Sequence, residues 1–149
     1  MNYSDFKIAL QEVPGEISIC FTINGCELHC KGCHSPYLWN KDVGEELTLK
    51  KYTSILKKYK SLASCVLFMG GEWFENELVS YFKIAKSLNY TTCLYTGQTQ
   101  ISTKIKNQLT WLKTGPWVET LGGLDSPNTN QEFKELKTNK ILNHLFQKN

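Results

Sequence analysis

The chain has 149 residues, 41% of them hydrophobic and 21% charged, with 17 Lys and Arg against 14 Asp and Glu for a net charge of +3. That is one domain's length with apolar content enough for a core, which excludes disordered and fibrous classes. The lysines form no dense basic block, no apolar run is long enough to span a bilayer, and the N-terminus is not built like a signal peptide. The expectation is therefore a single cytoplasmic domain, residues 1–149, with no nucleic-acid and no membrane partner.

In chain order, Lys7–Val13 reads as a short strand closed by the turn signal Pro14-Gly15. The stretch EISICFTI alternates, with Ile17, Ile19, Phe21 and Ile23 on one face, and predicts the first strand of the main sheet. It runs into Asn24-Gly25 and a cysteine-rich loop. Thr48 is placed to cap a helix whose apolar positions Leu49, Tyr52, Ile55, Leu56 and Tyr59 keep helical spacing. The continuous apolar run Ser64–Met69 suits a strand buried on both faces and ends at Gly70-Gly71. Leu78, Val79, Phe82, Ala85 and Leu88 predict a second helix that stops near Asn89, and Thr91–Thr96 a third strand ending at Gly97. Ile101, Ile105 and Leu109 mark a third helix, WLKT a short fourth strand before Gly115-Pro116, and VETLGGLDSPNTNQ a loop. The segment after it is not assigned.

Strands alternating with helices make parallel sheets with helical crossovers, and this chain is too short for a full eight-fold barrel of about 250 residues. The expected fold is α/β: an incomplete (β/α) TIM-like barrel with mostly parallel strands. Ligands of such folds sit beyond the carboxyl ends of the strands, where this chain puts its cysteines and its glycines.

Cys26, Cys30 and Cys33 have the spacing C-x3-C-x2-C, with His29 and His34 between and beside them. Clustered thiols in a reducing compartment point to metal or catalysis rather than to disulfides. Thiolates suit zinc or an iron–sulfur cluster. A four-iron cluster normally takes four cysteines, so three would leave one iron open to an external ligand. The alternative is a closed Cys3His zinc site completed by His29 or His34. Cys20, Cys65 and Cys93 lie inside expected strands, where a thiol packs as a small hydrophobe, and His144 has no partner in sequence. Gly70, Gly71 and Glu72 at the end of the second strand offer close backbone approach and a carboxylate, a combination suited to an ammonium group.

The three-cysteine loop followed one strand later by Gly-Gly-Glu resembles the radical S-adenosylmethionine superfamily. With CKGCHSPYLW, FMGGEW, LYTG and LKTGPWVETLGGLDSPNTNQ, nearly the whole chain resembles the activating proteins of class III anaerobic ribonucleotide reductases. It departs from common patterns at Gly32, where many members carry an aromatic residue, at Trp73, where many carry proline, and at Glu132, where arginine often follows the Asn-Gln pair. The resemblance implies a radical SAM type of barrel and a [4Fe–4S] cluster on Cys26, Cys30 and Cys33. It implies S-adenosyl-L-methionine chelated to the fourth iron, its methionine end held by Gly70, Gly71 and Glu72. Gly32 and His34 would line its adenosine side, with Tyr95, Thr96 and Gly97 near the ribose or adenine. The implied reaction is one-electron cleavage to methionine and a 5′-deoxyadenosyl radical. That radical takes a hydrogen atom from a backbone glycine of the anaerobic ribonucleoside-triphosphate reductase, with flavodoxin or ferredoxin as the outside electron donor. An open side of the barrel bordered by GGLDSPNTNQ, with Leu124 and Asp125, is the expected docking place. The alternatives are an activase of another glycyl-radical enzyme, of the pyruvate formate-lyase type, and a non-enzymatic zinc or iron–sulfur module.

Overall fold

Alternation along the strands decides the architecture. In the computed structural model, which describes residues 1–147, eight strands form one sheet flanked by helices. They are β1 (Asn2–Ala9), β2 (Ser18–Ile23), β3 (Glu45–Glu46), β4 (Cys65–Met69), β5 (Thr91–Tyr95), β6 (Trp111–Thr114), β7 (Glu132–Glu135) and β8 (Lys140–Ile141). The helices are α1 (Leu49–Lys58), α2 (Glu75–Ser87) and the single turn α3 (Thr103–Lys106). The order across the sheet is β3-β1-β2-β4-β5-β6-β7-β8.

The expected parallel unit forms the centre: β2, β4, β5 and β6 pair in parallel and are joined through α1, α2 and α3 in turn. The flanks differ from a mostly parallel sheet, because the four remaining pairings, β1 with β2 and β3, and β7 with β6 and β8, are antiparallel. β1 lies earlier than Lys7–Val13. Its register against β2, from Tyr3 opposite Ile23 to Ala9 opposite Ser18, uses the whole length of that six-residue partner. Leu10–Val13 is left to turn the chain, with Val13 buried.

Helical periodicity places the other face. Thr48 caps α1 by accepting a hydrogen bond from Lys51 N (3.1 Å), and Tyr52, Ile55 and Leu56 are buried beneath it. Leu78, Tyr81, Phe82 and Ala85 do the same for α2, which ends before Asn89 at φ +66°, in the left-handed conformation that closes helices. These side chains meet Ile19, Phe21, Ile23, Val66, Phe68, Leu94 and Leu112 in the helix-side core. The opposite face of the same strands carries Cys20, Cys65, Leu67 and Cys93, packed with Val13, Leu124 and Phe133. No helix among the described residues is long and apolar enough to cross a membrane.

Candidate metal centre

The cysteine loop is closed at its base. Asn24, at the end of β2, is fully buried. Its side chain accepts from Ser4 Oγ (2.7 Å) and donates to the Asn40 carbonyl (3.4 Å). Gly25 N and Cys26 N then both donate to the Leu38 carbonyl, at 2.6 and 3.0 Å. Within the loop, Cys33 N donates to Cys30 O (3.1 Å) and Ser35 N to Cys33 Sγ (3.3 Å). All three thiols are reduced and half-buried. Burial pushes the Cys26 thiol up, a backbone N–H from Leu28 counters it, and charge on Glu72, Cys30 or Cys33 pushes it further. The thiols are thus within electrostatic reach of one another. Among the described residues, however, no three Cys, His, Asp or Glu side chains are gathered at one point as a finished metal site. His29 and His34 are turned to aromatic rings instead, Trp39 (centroids 4.2 Å apart) and Trp117 (4.7 Å).

Three tight contacts seat this loop on the strand ends. Trp73 donates its Nε1–H to the Asn24 carbonyl (3.0 Å), and its ring fills the space that a Cβ on Gly25 or Gly70 would need, 2.6 and 2.5 Å away. Leu28 lies where a side chain on Gly97 would stand, next to Pro116. Gly32 faces the Glu119 carboxylate and Trp117, which a Cβ there would meet at 3.3 and 3.7 Å. The sequence positions of Gly70 and Gly97 therefore answer first to packing within the chain.

Beyond the loop, Glu72 accepts from Thr96 Oγ1 (2.5 Å) through Oε1, while its Oε2 is buried without a hydrogen-bond partner among the described residues. Burial pushes the Glu72 carboxyl up; the Thr96 hydroxyl, the backbone N–H of Glu72 itself and the Lys113 ammonium oppose this. Thr96 itself is buried, and its hydroxyl also accepts from Gln98 N (3.0 Å). Lys113 Nζ donates to Gly115 O (2.9 Å) and Thr96 O (3.4 Å), and desolvation pulls its ammonium down to about 8 against the charges of Cys30 and Glu72. A cavity of about 260 Å³ opens beside Glu72 and Trp73, walled by Glu27 and Leu28 of the loop and by Gln98, Gln100 and Ile101.

The structure thus places Cys26, Cys30, Cys33, Glu72, Thr96 and Gly97 on one rim. Gly71 has gone to the core side, where Ile23 and Leu78 are its nearest neighbours. Tyr95 points away from the helices, its ring edge-on to Phe133 and its hydroxyl donating to the Glu12 carbonyl, so that hydroxyl is already engaged. Gly32 and His34 are exposed against the Trp117–Glu119 segment. Three participants carry no sequence expectation. Lys113 is a charge inside a strand, a signal visible in WLKT; Glu119 lies in a stretch read only as loop, and Trp117 just before it. Trp117 Nε1 is, like Glu72 Oε2, buried without a hydrogen-bond partner among the described residues.

A family model described as a 4Fe-4S single cluster domain matches residues 13–122, most of the chain and all of this rim. The chain belongs to the 4Fe-4S single cluster domain family. Over 97 residues it is also 30% identical to a pyruvate formate-lyase-activating enzyme of Clostridium pasteurianum, a match covering 61% of this chain and 40% of that protein's length. The donor chemistry fits a 4Fe-4S domain: three unoxidised, half-buried thiols on one loop, with an orphaned buried carboxylate oxygen and an orphaned indole N–H beside them. Cys26, Cys30 and Cys33 are the residues that would hold the cluster.

Proposed function

We propose that the chain is a radical S-adenosylmethionine activating enzyme on an incomplete barrel, generating a glycyl radical on a partner protein. The observation that carries this is the placement of three free thiols near Glu72 Oε2, a buried oxygen with no hydrogen-bond partner among the described residues. A buried carboxylate oxygen left unpaired costs about 1–3 kcal/mol or more, so the site is built for a donor from outside. An α-ammonium group supplies one. A [4Fe–4S] cluster, when bound, supplies a low-potential electron, down to about −700 mV, and with three protein ligands one iron open to an external ligand.

The chain's own residues do the rest. Thr96 fixes Glu72 in one orientation through Oε1 and leaves Oε2 free for the ligand. Leu28 and Trp73 supply apolar parts of the adjoining cavity's wall and Gln98 and Gln100 polar ones, a mixed surface suited to a zwitterionic ligand. Gly32 and His34, with Trp117 behind them, offer an aromatic and hydrogen-bonding surface for the adenosine end. Holding the ligand beside its electron source turns a collision into a local event.

On the face away from the helices, a second cavity of about 370 Å³ is lined by Tyr95, Lys113, Leu124, Asp125, Gln131 and Phe146. In this proposal it is the open side of the barrel, admitting the partner's glycine-bearing segment. Leu124 is buried against the core and so supports the wall, whereas Asp125 is exposed and free to touch a partner. Cys20, Cys65 and Cys93 are buried packing residues; the electron donor proposed, on the family resemblance alone, is an outside protein of the flavodoxin or ferredoxin type.

The partner proposed is the anaerobic ribonucleoside-triphosphate reductase, on the strength of the LKTGPWVETLGGLDSPNTNQ stretch. The likeness to a pyruvate formate-lyase-activating enzyme favours a second partner of that type. Electron paramagnetic resonance of each candidate partner after anaerobic incubation with the reconstituted chain decides between them. A glycyl doublet in the reductase alone is expected; a doublet only in pyruvate formate-lyase reverses the assignment.

A further inference from the structure

The last row of side chains on the helix-free face, before the strands give way to loops, runs across neighbours in register: Met69, Tyr95, Lys113 and Phe133. Lys113 is its one charge. The two carbonyls that hold Nζ belong to Thr96 and Gly115; Gly97, which follows Thr96, has both Leu28 of the cysteine loop and Pro116, which follows Gly115, on the side where a Cβ would stand. Thr96 also carries the hydrogen bond to Glu72. The ammonium is thus fixed beneath the loop, between the ends of β5 and β6, with Cys30 and Glu72 as the anionic groups acting on it. Two of its three N–H donors are used among the described residues, leaving a third.

A lysine carries a compact point charge, and a charge held in a partly desolvated place acts more strongly than one in water. The potential of a thiolate-ligated iron–sulfur centre depends on its net charge and on hydrogen bonds to its sulfurs. We propose that Lys113 is a positioning residue of the metal centre, a fixed cation at the strand ends beside the cysteine loop that offsets the charge of the thiolate-bound iron–sulfur group and raises its reduction potential. This rests on the iron–sulfur assignment above. The competing role is a plain staple between the β5 and β6 loops, which needs hydrogen bonds but no charge.

The test compares iron-loaded wild type with Lys113→Gln, Lys113→Met and Lys113→Arg, by anaerobic redox titration and by iron content. Gln keeps a donor for the two carbonyls without the charge, and Arg keeps the charge. The expected result is a more negative midpoint for Gln and Met and a midpoint near wild type for Arg. Loss of iron from Gln and Met with retention by Arg also supports a need for charge. Equal midpoints in Gln and wild type, or loss of iron from Arg as well, overturn the inference while the metal assignment stands. A wild-type chain that takes up no iron overturns that assignment itself, and the inference with it.

Discussion

Gly70 and Trp73 share one tight turn, and their contact shows how a residue can be legible as glycine without its reason being legible. Gly70 has φ +79°, and a Cβ there would meet the Trp73 ring at 2.5 Å. Gly70→Ala should therefore cost about 2–4 kcal/mol, from left-handed backbone and overpacking together. In a urea-melt double-mutant cycle with Trp73→Ala, the overpacking part, about 1–3 kcal/mol, should vanish; strict additivity would show that the two do not touch. The six cysteines divide as cleanly. Alkylation of metal-free native protein near pH 8 should modify Cys26, Cys30 and Cys33 and spare Cys20, Cys65 and Cys93, with six adducts only after unfolding; more than three on the native chain contradicts the burial. Burial also holds the Cys20 and Cys65 thiols up at about 12, from 9.0. The folded state then binds more protons than the unfolded one between pH 9 and about 12. The stabilisation is complete below pH 9 and is lost across that window, at about 1.4 kcal/mol per pH unit for each thiol. Chemical melts of wild type and Cys20→Ala from pH 8.5 to 10.5 should show a shallower loss in the variant. The three loop thiols stood out by their spacing and Glu72 by its place after Gly70-Gly71; Lys113, Trp117 and Glu119 did not, because their contacts come from which strand ends are neighbours.

Elements were legible where one periodic signal sufficed. The cap and apolar stripe of α1, the buried runs of β4 and β5 and the stop at Asn89 all follow from local sequence. Thr48→Ala removes a cap hydrogen bond to Lys51 N and should cost about 1 kcal/mol in a thermal or urea melt; no change would mean α1 is held by packing alone. Other elements needed partners. Ile101 and Leu109 pack on the helix-side core from outside the helix, so the spacing that marks a three-turn helix yields the four-residue α3. β7 has one buried apolar residue, Phe133, and exists because β6 pairs with it and Phe146 and Tyr95 close around that ring. Asn130 and Gln131, just before it, both donate side-chain N–H groups to the Pro116 carbonyl, which ties the long loop back to the β6 rim. None of this is written in the local pattern of EFKE.

At the scale of the molecule, one sheet separates two tasks. The helix-covered face holds the aromatic core, and the other face, floored by small buried thiols, opens to the cavity at Tyr95, Lys113 and Asp125. Asp125→Lys should weaken association with the proposed glycyl-radical partner in an anaerobic binding titration while leaving cleavage of free S-adenosylmethionine unchanged; unaltered binding would move the proposed docking surface elsewhere. Cys30→Ala should abolish iron retention, whereas Cys65→Ala should keep its iron and lose only packing stability, about 1 kcal/mol. The account turns on the three-thiol loop and Glu72 acting together on one small zwitterionic ligand. Its most direct test is anaerobic incubation of the iron-loaded protein with a strong reductant and S-adenosylmethionine, followed by chromatography for 5′-deoxyadenosine. Formation of 5′-deoxyadenosine and methionine, lost in Cys30→Ala, is the predicted result; iron-loaded protein that leaves S-adenosylmethionine intact contradicts it.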